Sequence, residues 1–410
     1  MLSQDWPTFE DVLRAYKACR FGKSASIHQT TFETHLGKNI LALHQEISTG
    51  TYQPSPTVCF VVERPKPREI FAAHFRDRIV HHLVVSKLTN YWEPKFISSS
   101  FACRKQKGTH AALRHLQKCV RSLSHGGHSH VWALQLDLAS FFVTIHRPTL
   151  HAILNQPLRH QKMIELVRTL YLHDARPTAI RKGDLSKFSL IDSQKSWFTQ
   201  DKDSGLPIGN LTSQFGANVC LTALDHFIQR ELKPPHYLRY MDDLMLLGTN
   251  PDELSKMTEP IDQWIRQNRF QKLNPTKTTL IRLDKGIRYL GYECRQVDSP
   301  SQPLQLFLEP KKKWGFVKNL RTWQGVEISA RHKPHPLSHS ILSNNKLDNK
   351  IASLNSQLGN LKHANCYRLR KKSLEKLIKQ TAENPGLPEE MGGSHPTLKI
   401  KPGYTAVKQR

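Results

Sequence analysis

Three aspartates lie at the ends of apolar segments in this sequence. Asp242 and Asp243 are adjacent in YMDDLMLLG, and Asp137 interrupts VWALQLDLASFF about 105 residues earlier. Neighbouring carboxylates between apolar segments are costly unless a cation neutralises them. An isolated Asp-Asp pair more often lies in a solvated turn, but these apolar flanks favour a hard divalent metal. Two Mg²⁺ ions held by three carboxylates could activate a 3′-hydroxyl and stabilise a leaving pyrophosphate, which predicts nucleotidyl transfer.

The segment ERPKPRE places Arg64, Lys66 and Arg68 within five residues. Pro65 and Pro67 make this segment too Pro-rich for a helix and stiffen it, so it is predicted as a loop that holds its charges away from the protein. Such a loop could clamp a triphosphate, with Arg suited to bidentate contact and Lys acting as a point charge. A solvated basic loop is the alternative that these residues alone leave open.

The overall composition favours an anionic partner. Among 410 residues, 60 Lys and Arg outnumber 34 Asp and Glu, which gives a net charge of +26 and a pI near 9.9. Nucleic acid is the favoured partner, with anionic membrane surfaces and acidic proteins as alternatives. The sequence has no apolar run long enough to span a bilayer and no basic-then-apolar N-terminus, so neither membrane insertion nor secretion is expected. Seven scattered cysteines without a C-x-x-C pair disfavour a disulfide framework or a structural zinc site.

Two groups of closely spaced histidines occur in the sequence but are not predicted to bind a metal. The HGGHSH spacing is too tight and flexible for a defined site, and two adjacent histidines on a helix point to different faces. These residues are His81, His82, His125, His128 and His130.

Hydrophobic periodicity predicts an α+β fold with an antiparallel hairpin. VCFVV and VWALQLD are interpreted as strands, and HYLRYMDDLMLLG as two short strands around a tight Met-Asp-Asp turn. Residues 174–204 show no period and are predicted as a loop or insertion. Helices are predicted within residues 1–50, 74–91, 109–123 and 150–172, with an amphipathic helix over 211–232.

The chain changes character from Lys311 onward. Residues 311–380 carry 16 Lys and Arg against 3 Asp and Glu. A positively charged helical module is predicted here, and its phosphate contacts should give RNA binding a steep salt dependence. Residues 383–410 lack an apolar period and are predicted as a flexible tail. The apolar seam of the helical module is formed by Leu347, Ile351, Leu354, Leu358 and Leu361.

Taken together, these motifs resemble those of reverse transcriptases. YMDD follows LQLDLASFF, with GLPIGNLTSQ between them and KLNPTKT and RYLGY after them. Each motif alone is weak, but their order and spacing are specific, and the resemblance spans roughly residues 30–295. It implies a right-hand polymerase fold with fingers, a palm whose antiparallel sheet carries the YMDD hairpin, and a helical thumb. The expected domains are a helical lead-in 1–50, fingers 51–130, palm 131–300 with the 174–204 insertion, thumb 301–382 and tail 383–410.

The resemblance also implies roles for individual residues. Asp137, Asp242 and Asp243 match the catalytic carboxylates, and together with Leu138 they are the expected contacts for two Mg²⁺ ions, for which Mn²⁺ could substitute. Phe142 matches a steric gate against a ribose 2′-hydroxyl and so implies a DNA product, with ordinary core packing as the alternative. The residues expected at the incoming nucleotide are Lys66, Arg68, Phe141, Phe142, Ile208, Gly209, Gln214 and Lys277.

A second group of residues is expected to contact template or primer. It includes basic side chains for phosphate contact and the RYLGY hairpin, which matches the one thought to grip the primer end. The residues are Arg64, Arg76, Arg78, Lys105, Lys107, Tyr240, Leu290, Gly291, Lys311, Lys312 and Lys313.

Two positions depart from a common family pattern. Ile208 stands where many relatives carry Gln, and Gln214 stands where they carry Pro. The resulting IGxxxSQ resembles the reverse transcriptases of diversity-generating retroelements, which copy a template RNA with errors at adenines. Replacing an amide by an aliphatic group removes hydrogen-bond readout, and apolar contacts discriminate poorly between similar ligands, so reduced fidelity is the hypothesis.

The resemblance implies a set of partners as well. Template RNA, dNTPs and a cDNA product are expected, with a small homo-oligomeric helical-barrel accessory protein, in a cytoplasmic bacterial or phage-encoded system. An antiphage defence or group II intron-like reverse transcriptase is the alternative, although the sequence after the thumb is too short for the maturase or endonuclease domain of a mobile-intron enzyme. Outside enzymes, the alternative is a non-catalytic RNA-binding scaffold, against which the intact carboxylates argue.

Overall fold

The structure is a computed structural model and describes residues 6–21, 26–64, 66–309 and 314–315. This described part falls into two compact units, one built from residues up to 115 and 133–280, the other from residues 116–132 and 281 onward. The predicted basic helices from 311, the tail, and Lys311, Lys312 and Lys313 therefore lie outside the described residues. No helix in the described ranges is long and apolar enough to cross a membrane.

Helices and short strands alternate along the chain, joined by turns that are often 3₁₀. The helices are α1 (Phe9–Arg20), α2 (Ile27–Thr34), α3 (Leu36–Thr49), α4 (Phe75–Trp92), α5 (Thr109–Leu123), α6 (Phe141–Thr144), α7 (Arg147–Asn155), α8 (Gln161–Tyr171), α9 (Leu211–Phe227), α10 (Pro251–Lys256) and α11 (Thr258–Arg269). The strands are β1 (Val58–Val62), β2 (Arg68–Ala72), β3 (Trp132–Asp137), β4 (Ile180–Arg181), β5 (His236–Tyr240), β6 (Asp243–Gly248), β7 (Thr279–Arg282), β8 (Ile287–Tyr289), β9 (Tyr292–Gln296) and β10 (Leu304–Leu308).

Three successive helices form the N-terminal segment that the sequence predicts as helical. Helix α1 begins at a capping box, in which the Thr8 hydroxyl accepts from the Asp11 backbone N–H (3.2 Å) and the Asp11 carboxylate accepts from the Thr8 N–H (2.9 Å). Val12, Ala15 and Cys19 form its buried face, and the helix packs against α4. Apolar spacing and the cap together explain why α1 forms here.

Strands β1 and β2 form an antiparallel hairpin, and β4 adds to β1 as a parallel strand. Val62 pairs with Arg68 at the end of this hairpin. The prediction that all of residues 63–69 form a loop is therefore wrong at its end, because Arg68 and Glu69 belong to β2. Alternation along β2 buries Glu69 and Phe71 and leaves Arg68 exposed.

The insertion between α8 and α9 is irregular, as predicted, with β4 and short 3₁₀ turns as its only regular structure among the described residues. It packs back onto the β1–β2 hairpin. Trp197 is 1% exposed and meets the Phe71 ring edge to face at 4.8 Å. Buried Glu69 accepts hydrogen bonds from the Ser196 hydroxyl and from the Trp197 backbone N–H (2.8 Å). The insertion is thus part of the core beneath the hairpin.

A four-stranded sheet has the order β5-β6-β3-β7. Strands β5 and β6 pair antiparallel, as predicted for HYLRYMDDLMLLG, and β3 lies beside β6. This order brings the end of β3 next to the β5–β6 turn although about 105 residues separate them.

Helix α9 is the central helix of the first unit, with α4, α7 and α11 packed against it. The prediction of an amphipathic helix is wrong for most of its length, because its polar residues are also buried. The Thr222 hydroxyl donates to the Asn218 carbonyl (2.9 Å), and the Asn218 amide donates to the Ala102 carbonyl (2.9 Å). Small hydroxyl and amide side chains can satisfy their hydrogen bonds inside a protein, so a polar pattern here does not mean a solvated face.

In the second unit, β10, β9 and β8 form an antiparallel sheet. Leu290 and Gly291 make a two-residue turn between β8 and β9, with φ values of +49° and +81°. Tyr289 pairs with Tyr292 across this turn. Positive φ at both central positions is typical of a tight β-hairpin, so the predicted hairpin at RYLGY is confirmed.

Candidate active site

Asp242 lies in the two-residue turn between β5 and β6. Tyr240 pairs with Asp243 across the strands, so Met241 and Asp242 form the turn, and Met241 adopts a left-handed φ of +60°. Apolar residues such as Leu238 are completely buried below the turn. The hairpin therefore presents two adjacent carboxylates at the edge of an apolar sheet, as the sequence predicts.

Asp137 ends β3, and the segment just before β7 holds this strand end. The Asn274 N–H donates to the Asp137 carbonyl (2.7 Å), and the Ala139 N–H donates to the Lys272 carbonyl (2.9 Å). The Lys277 ammonium forms an ion pair with the Asp137 carboxylate. The resemblance places Lys277 at the nucleotide phosphates, whereas the structure places its charge on an aspartate of the site.

Burial and mutual repulsion shape the electrostatics of the two hairpin carboxylates. Removal of water raises the pKa of Asp242, and the negative charge of Asp137 adds to the rise. Asp243 is accessible to solvent at the turn, yet the pKa of Asp243 is raised to about 7 by desolvation first and then by the charges of Asp242 and Asp137. Lys277 and Arg68 act in the opposite direction on the pKa of Asp242. Crowded carboxylates of this kind favour a cation.

The donor set suits a hard divalent metal, because carboxylate oxygens are the ligands that Mg²⁺ prefers. The charge of Asp137 raises the pKa of Asp243, so these side chains are close enough to interact electrostatically. Within the described ranges, no group of three or more His, Cys, Asp or Glu side chains forms a preassembled metal cage. The side chains of Asp137, Asp242 and Asp243 are the ones that would hold a metal. Leu138 is 1% exposed, so only its main chain could take part.

A buried polar network supports the catalytic turn from below. Arg239, in β5, is completely buried and pairs with Asp225 of α9, with Nε and Nη2 at 2.8 and 2.7 Å from the two carboxylate oxygens. Its Nη1 donates to the Met241 carbonyl (3.0 Å) in the turn and to Asn218 Oδ1 (3.1 Å). Tyr237 also donates to Asp225 (2.8 Å). Sequence reasoning missed this network, although charged residues inside an apolar strand and an apolar helix are a signal for it.

Phe142, the expected steric gate, lies beside a core phenylalanine. Phe142 is half-buried, while Phe141 is 2% exposed and meets the Phe142 ring edge to face at 5.4 Å. The side chain of Phe141 is thus a core residue, which leaves Phe142 as the ring that could face a sugar. Ser140, just before them, has a left-handed φ of +50° and turns the chain between β3 and α6.

The GLPIGNLTSQ segment is joined to the strand that carries Arg68. The Phe71 N–H donates to the Ile208 carbonyl (2.9 Å). Gly209 has a φ of +111°, and a Cβ atom there would lie 3.1 Å from Ile70 Cγ2. The positive φ and the close Ile70 side chain therefore favour glycine at this position. Gln214 follows in the first turn of α9 and is half-buried.

The basic residues of the hairpin tip lie on the surface. Arg64, Lys66 and Arg68 are all exposed, and the charge of Arg68 lowers the pKa of Asp242. This interaction brings Arg68 into the electrostatic surroundings of the carboxylates. Neighbouring Glu63 pairs with Lys187 of the insertion at 2.7 Å.

Two of the residues expected at template or primer are occupied by intramolecular contacts. Arg76 pairs with Glu46 and lies 3.6 Å from Asp77. The Lys107 ammonium donates to the Ser98 carbonyl at 2.7 Å. These contacts show structural roles that the sequence did not predict.

The other expected nucleic-acid contacts are placed differently. Arg78 is half-buried over the Phe75 ring, whereas Lys105 is exposed. The Tyr240 hydroxyl lies 3.2 Å from the Thr109 hydroxyl. Leu290 and Gly291 form the tip of the β8–β9 hairpin in the second unit.

A mixed helix-and-sheet fold with a carboxylate hairpin agrees with the predicted polymerase class. The family model described as reverse transcriptase (RNA-dependent DNA polymerase) matches residues 63–294, more than half of the chain. The chain belongs to the reverse transcriptase family, whose members are RNA-directed DNA polymerases. The matched segment contains the three aspartates, Lys277 and the β1–β2 hairpin tip.

Several known proteins are similar to this chain. Protein YkfC of Escherichia coli (strain K12) is 23% identical over 301 residues, which cover 65% of this chain and 74% of YkfC. The group II intron-encoded protein LtrA of Lactococcus lactis subsp. cremoris is 25% identical over 220 residues, 52% of this chain but only 33% of LtrA. The chain thus spans about a third of LtrA's length. Among solved structures, apo telomerase from Candida tropicalis gives a TM-score of 0.45 at 14% identity, covering 66% of this chain and 60% of that one.

Proposed function

We propose that this protein copies a template RNA into cDNA by two-metal nucleotidyl transfer. The observation that carries the proposal is that Asp137 and the Asp242–Asp243 hairpin lie on neighbouring strands within the segment that matches the family. Divalent metal bound there would supply Lewis-acid activation of the primer 3′-hydroxyl and charge neutralisation at the leaving pyrophosphate.

The surrounding residues orient the reactants in this proposal. Arg68 and Lys66 on the hairpin tip bind the triphosphate, and the half-buried Phe142 ring lies beneath the sugar and excludes a 2′-hydroxyl by steric overlap. Lys277 holds the Asp137 carboxylate through its ion pair and keeps positive charge beside the reacting phosphates. The Ile208–Gly209 backbone, bonded to β2, lines the nucleotide position.

Primer extension tests the proposal directly. We expect Mg²⁺-dependent incorporation of dNTPs on a primed RNA template by the wild-type chain, and incorporation at background for Asp242→Asn. Asp252→Asn, in the exposed first turn of α10, is the matched control and should retain full incorporation. Equal incorporation by the wild type and Asp242→Asn would contradict the proposal, and RNA binding without any incorporation would favour the non-catalytic scaffold.

Within the family, we propose a diversity-generating retroelement enzyme that is error-prone at template adenines. Ile208 and Gln214 in the IGxxxSQ segment support this assignment, because an aliphatic side chain at the nucleotide offers shape discrimination alone. Base-by-base sequencing of cDNA copied from a defined RNA should show errors concentrated opposite template adenines. Ile208→Gln should lower that error rate, and an identical error spectrum for the two proteins would contradict the role of Ile208.

A group II intron-like enzyme is the second candidate, and the similarity to LtrA favours it. Accurate cDNA from the same sequencing experiment would support this candidate over the first. The proposed helical-barrel accessory protein belongs to the first candidate only. Its addition should then increase synthesis on the native template RNA, and no change in synthesis would argue against that partner.

A further inference from the structure

A second concavity lies in the first unit, away from the carboxylates. It has a volume of about 490 Å³ and is lined by residues of α4, α7, α9 and α11 together with the turns that follow α4 and α9. None of its lining residues belongs to the carboxylate site described above. Leu211 belongs to the GLPIGNLTSQ segment, and Ala223 lines this pocket. At a rise of 1.5 Å per residue, about 18 Å of α9 separates them.

The charge of this pocket is entirely positive. Lys95, Arg230 and Arg269 line it, and no Asp or Glu is among its lining residues. Arg269 donates to the Cys220 carbonyl (2.6 Å) and lies over the Trp264 ring, but it makes no ion pair within the described ranges. Burial lowers the pKa of Arg269, as expected for a guanidinium without a counter-charge. A cationic pocket without internal neutralisation favours an anionic ligand.

Trp92 and His226 shape one part of the pocket wall. Trp92 lines the pocket and is 4% exposed, and its indole N–H has no hydrogen-bond partner in the described part of the chain. This N–H is itself buried, so the indole contributes packing surface to the pocket wall. His226 Nε2 contacts the Lys95 carbonyl at 2.9 Å, which holds the turn after α4 in place.

Part of the remaining lining is apolar and could face a nucleoside. Pro94, Ile153 and Val219 form this part of the wall, beside the Trp92 indole. Volumes between about 300 and 1,000 Å³ are typical of small-ligand sites, so a mononucleotide would fit. Guanidinium groups recognise phosphate through paired, charge-assisted hydrogen bonds.

We propose that this pocket binds the phosphate ester of a nucleotide, at a site separate from the catalytic carboxylates. The ligand is a free nucleotide or a 5′-phosphorylated RNA end, since both carry the same phosphate ester. Arg230 and Arg269 contact the phosphate.

Isothermal titration calorimetry with adenosine 5′-monophosphate tests the proposal, using the full chain in EDTA and moderate salt. Loss of one charge-assisted hydrogen bond weakens binding by about tenfold, so Arg230→Gln should weaken binding by that factor. Arg266→Gln is the matched control, because Arg266 lies on the same helix as Arg269 but pairs with Asp262.

Two further variants distinguish binding in this pocket from binding at the catalytic carboxylates. The double variant Lys66→Gln/Arg68→Gln and the variant Asp242→Asn should bind the nucleotide as wild type does, so the result does not depend on polymerase activity. Arg230→Gln should retain primer extension on a short template. A dinucleotide pApA that binds more tightly than the mononucleotide would identify an RNA end as the source, and equal affinities would identify a free nucleotide.

Several results would overturn the proposal. They are the absence of saturable binding, equal binding by wild type and Arg230→Gln, and loss of binding in the double variant Lys66→Gln/Arg68→Gln. If inorganic phosphate binds as tightly as the nucleotide, the pocket does not recognise the nucleoside. If an acidic Asp-Glu peptide binds as tightly, the pocket recognises carboxylates rather than a phosphate ester.

Discussion

Arg239 and Asp225 form a two-contact ion pair in which both side chains are completely buried, and the same guanidinium holds the carbonyl of Met241 in the catalytic turn. The pair joins the central helix α9 to the strand that leads into Asp242. Because Met241 has a left-handed φ, the turn benefits from a fixed donor at its carbonyl. The network therefore connects packing in the core with the position of the carboxylates.

We predict that breaking this pair lowers both stability and activity. Arg239→Met leaves Asp225 as a buried charge without its partner, which should cost about 3–5 kcal/mol of unfolding free energy. The double variant Arg239→Met/Asp225→Leu removes both charges and should recover most of that stability. Its incorporation rate should remain low because the Met241 carbonyl still lacks its donor. Urea unfolding and primer extension measure the two effects, and full recovery of incorporation in the double variant would show that the network only stabilises the fold.

A second prediction concerns the contact between the insertion and the β1–β2 hairpin. Glu69→Gln weakens the bonds from Ser196 and Trp197 to a buried carboxylate. Loss of about 1.4 kcal/mol of local stability corresponds to tenfold more opening. We therefore expect trypsin to cleave after Lys187 or Lys195 about tenfold faster. Glu63→Gln, on the same hairpin, is the control because its pair with Lys187 is exposed, and equal cleavage in the two variants would contradict the proposed role of Glu69.

The pH dependence of stability should contain a contribution from His81 of α4. Burial, together with the positive charges of His82 and Arg78, lowers the pKa of His81 to about 3. The unfolded state, with an ordinary pKa near 6.5, then binds the proton more readily. This contribution to stability is complete above about pH 6.5 and is lost as the pH falls, by about 2 kcal/mol at pH 5.

The variant His81→Phe should remove this part of the pH dependence. Unfolding free energies of wild type and variant, measured between pH 8 and pH 5, should converge or cross in favour of the variant as the pH falls. His128→Gln, at an exposed position, is the control and should follow the wild-type profile. Parallel profiles for wild type and His81→Phe would contradict the prediction.

Gly205 is expected to tolerate no side chain. A Cβ atom there would lie 2.2 Å from Trp197 Nε1 and 3.0 Å from the Val143 carbonyl, and its φ is +92°. We expect Gly205→Ala to cost about 2–4 kcal/mol of unfolding free energy from overpacking and backbone strain together. Gly37→Ala in α3 is the control, since nothing lies within 4 Å, and it should stabilise by up to about 1 kcal/mol. Urea denaturation checks both values.

The YMDD hairpin and the Asp137 strand could be predicted from the sequence because they follow local rules. Strand alternation, apolar flanks and turn chemistry all act over a few residues, and the hairpin register of Tyr240 and Asp243 follows from them. The first strand and the helices α4 and α5 were predicted for the same reason. The crowding of the three carboxylates was expected from the family resemblance.

Interactions between distant segments could not be predicted in the same way. The Lys277–Asp137 ion pair joins residues 140 positions apart, and Glu69 meets Trp197 across 128 positions. Arg76 pairs with Glu46. No feature of the neighbouring sequence distinguishes it from a basic residue that binds phosphate. Helix α9 was misinterpreted because its polar residues find partners inside the fold.

The parallel strand β4 has a consequence for synthesis of the protein on the ribosome. Ile180 pairs with Val58, so the third strand of this sheet leaves the ribosome about 120 residues after the first. At about 5–20 residues per second, roughly 6–24 s pass between synthesis of β1 and synthesis of β4. Trp197, which packs against the hairpin, follows β4 in the chain. During that interval the apolar side chains and unpaired strand edge of the hairpin are exposed to other nascent chains. The β1–β2 hairpin therefore needs protection from such contacts during translation.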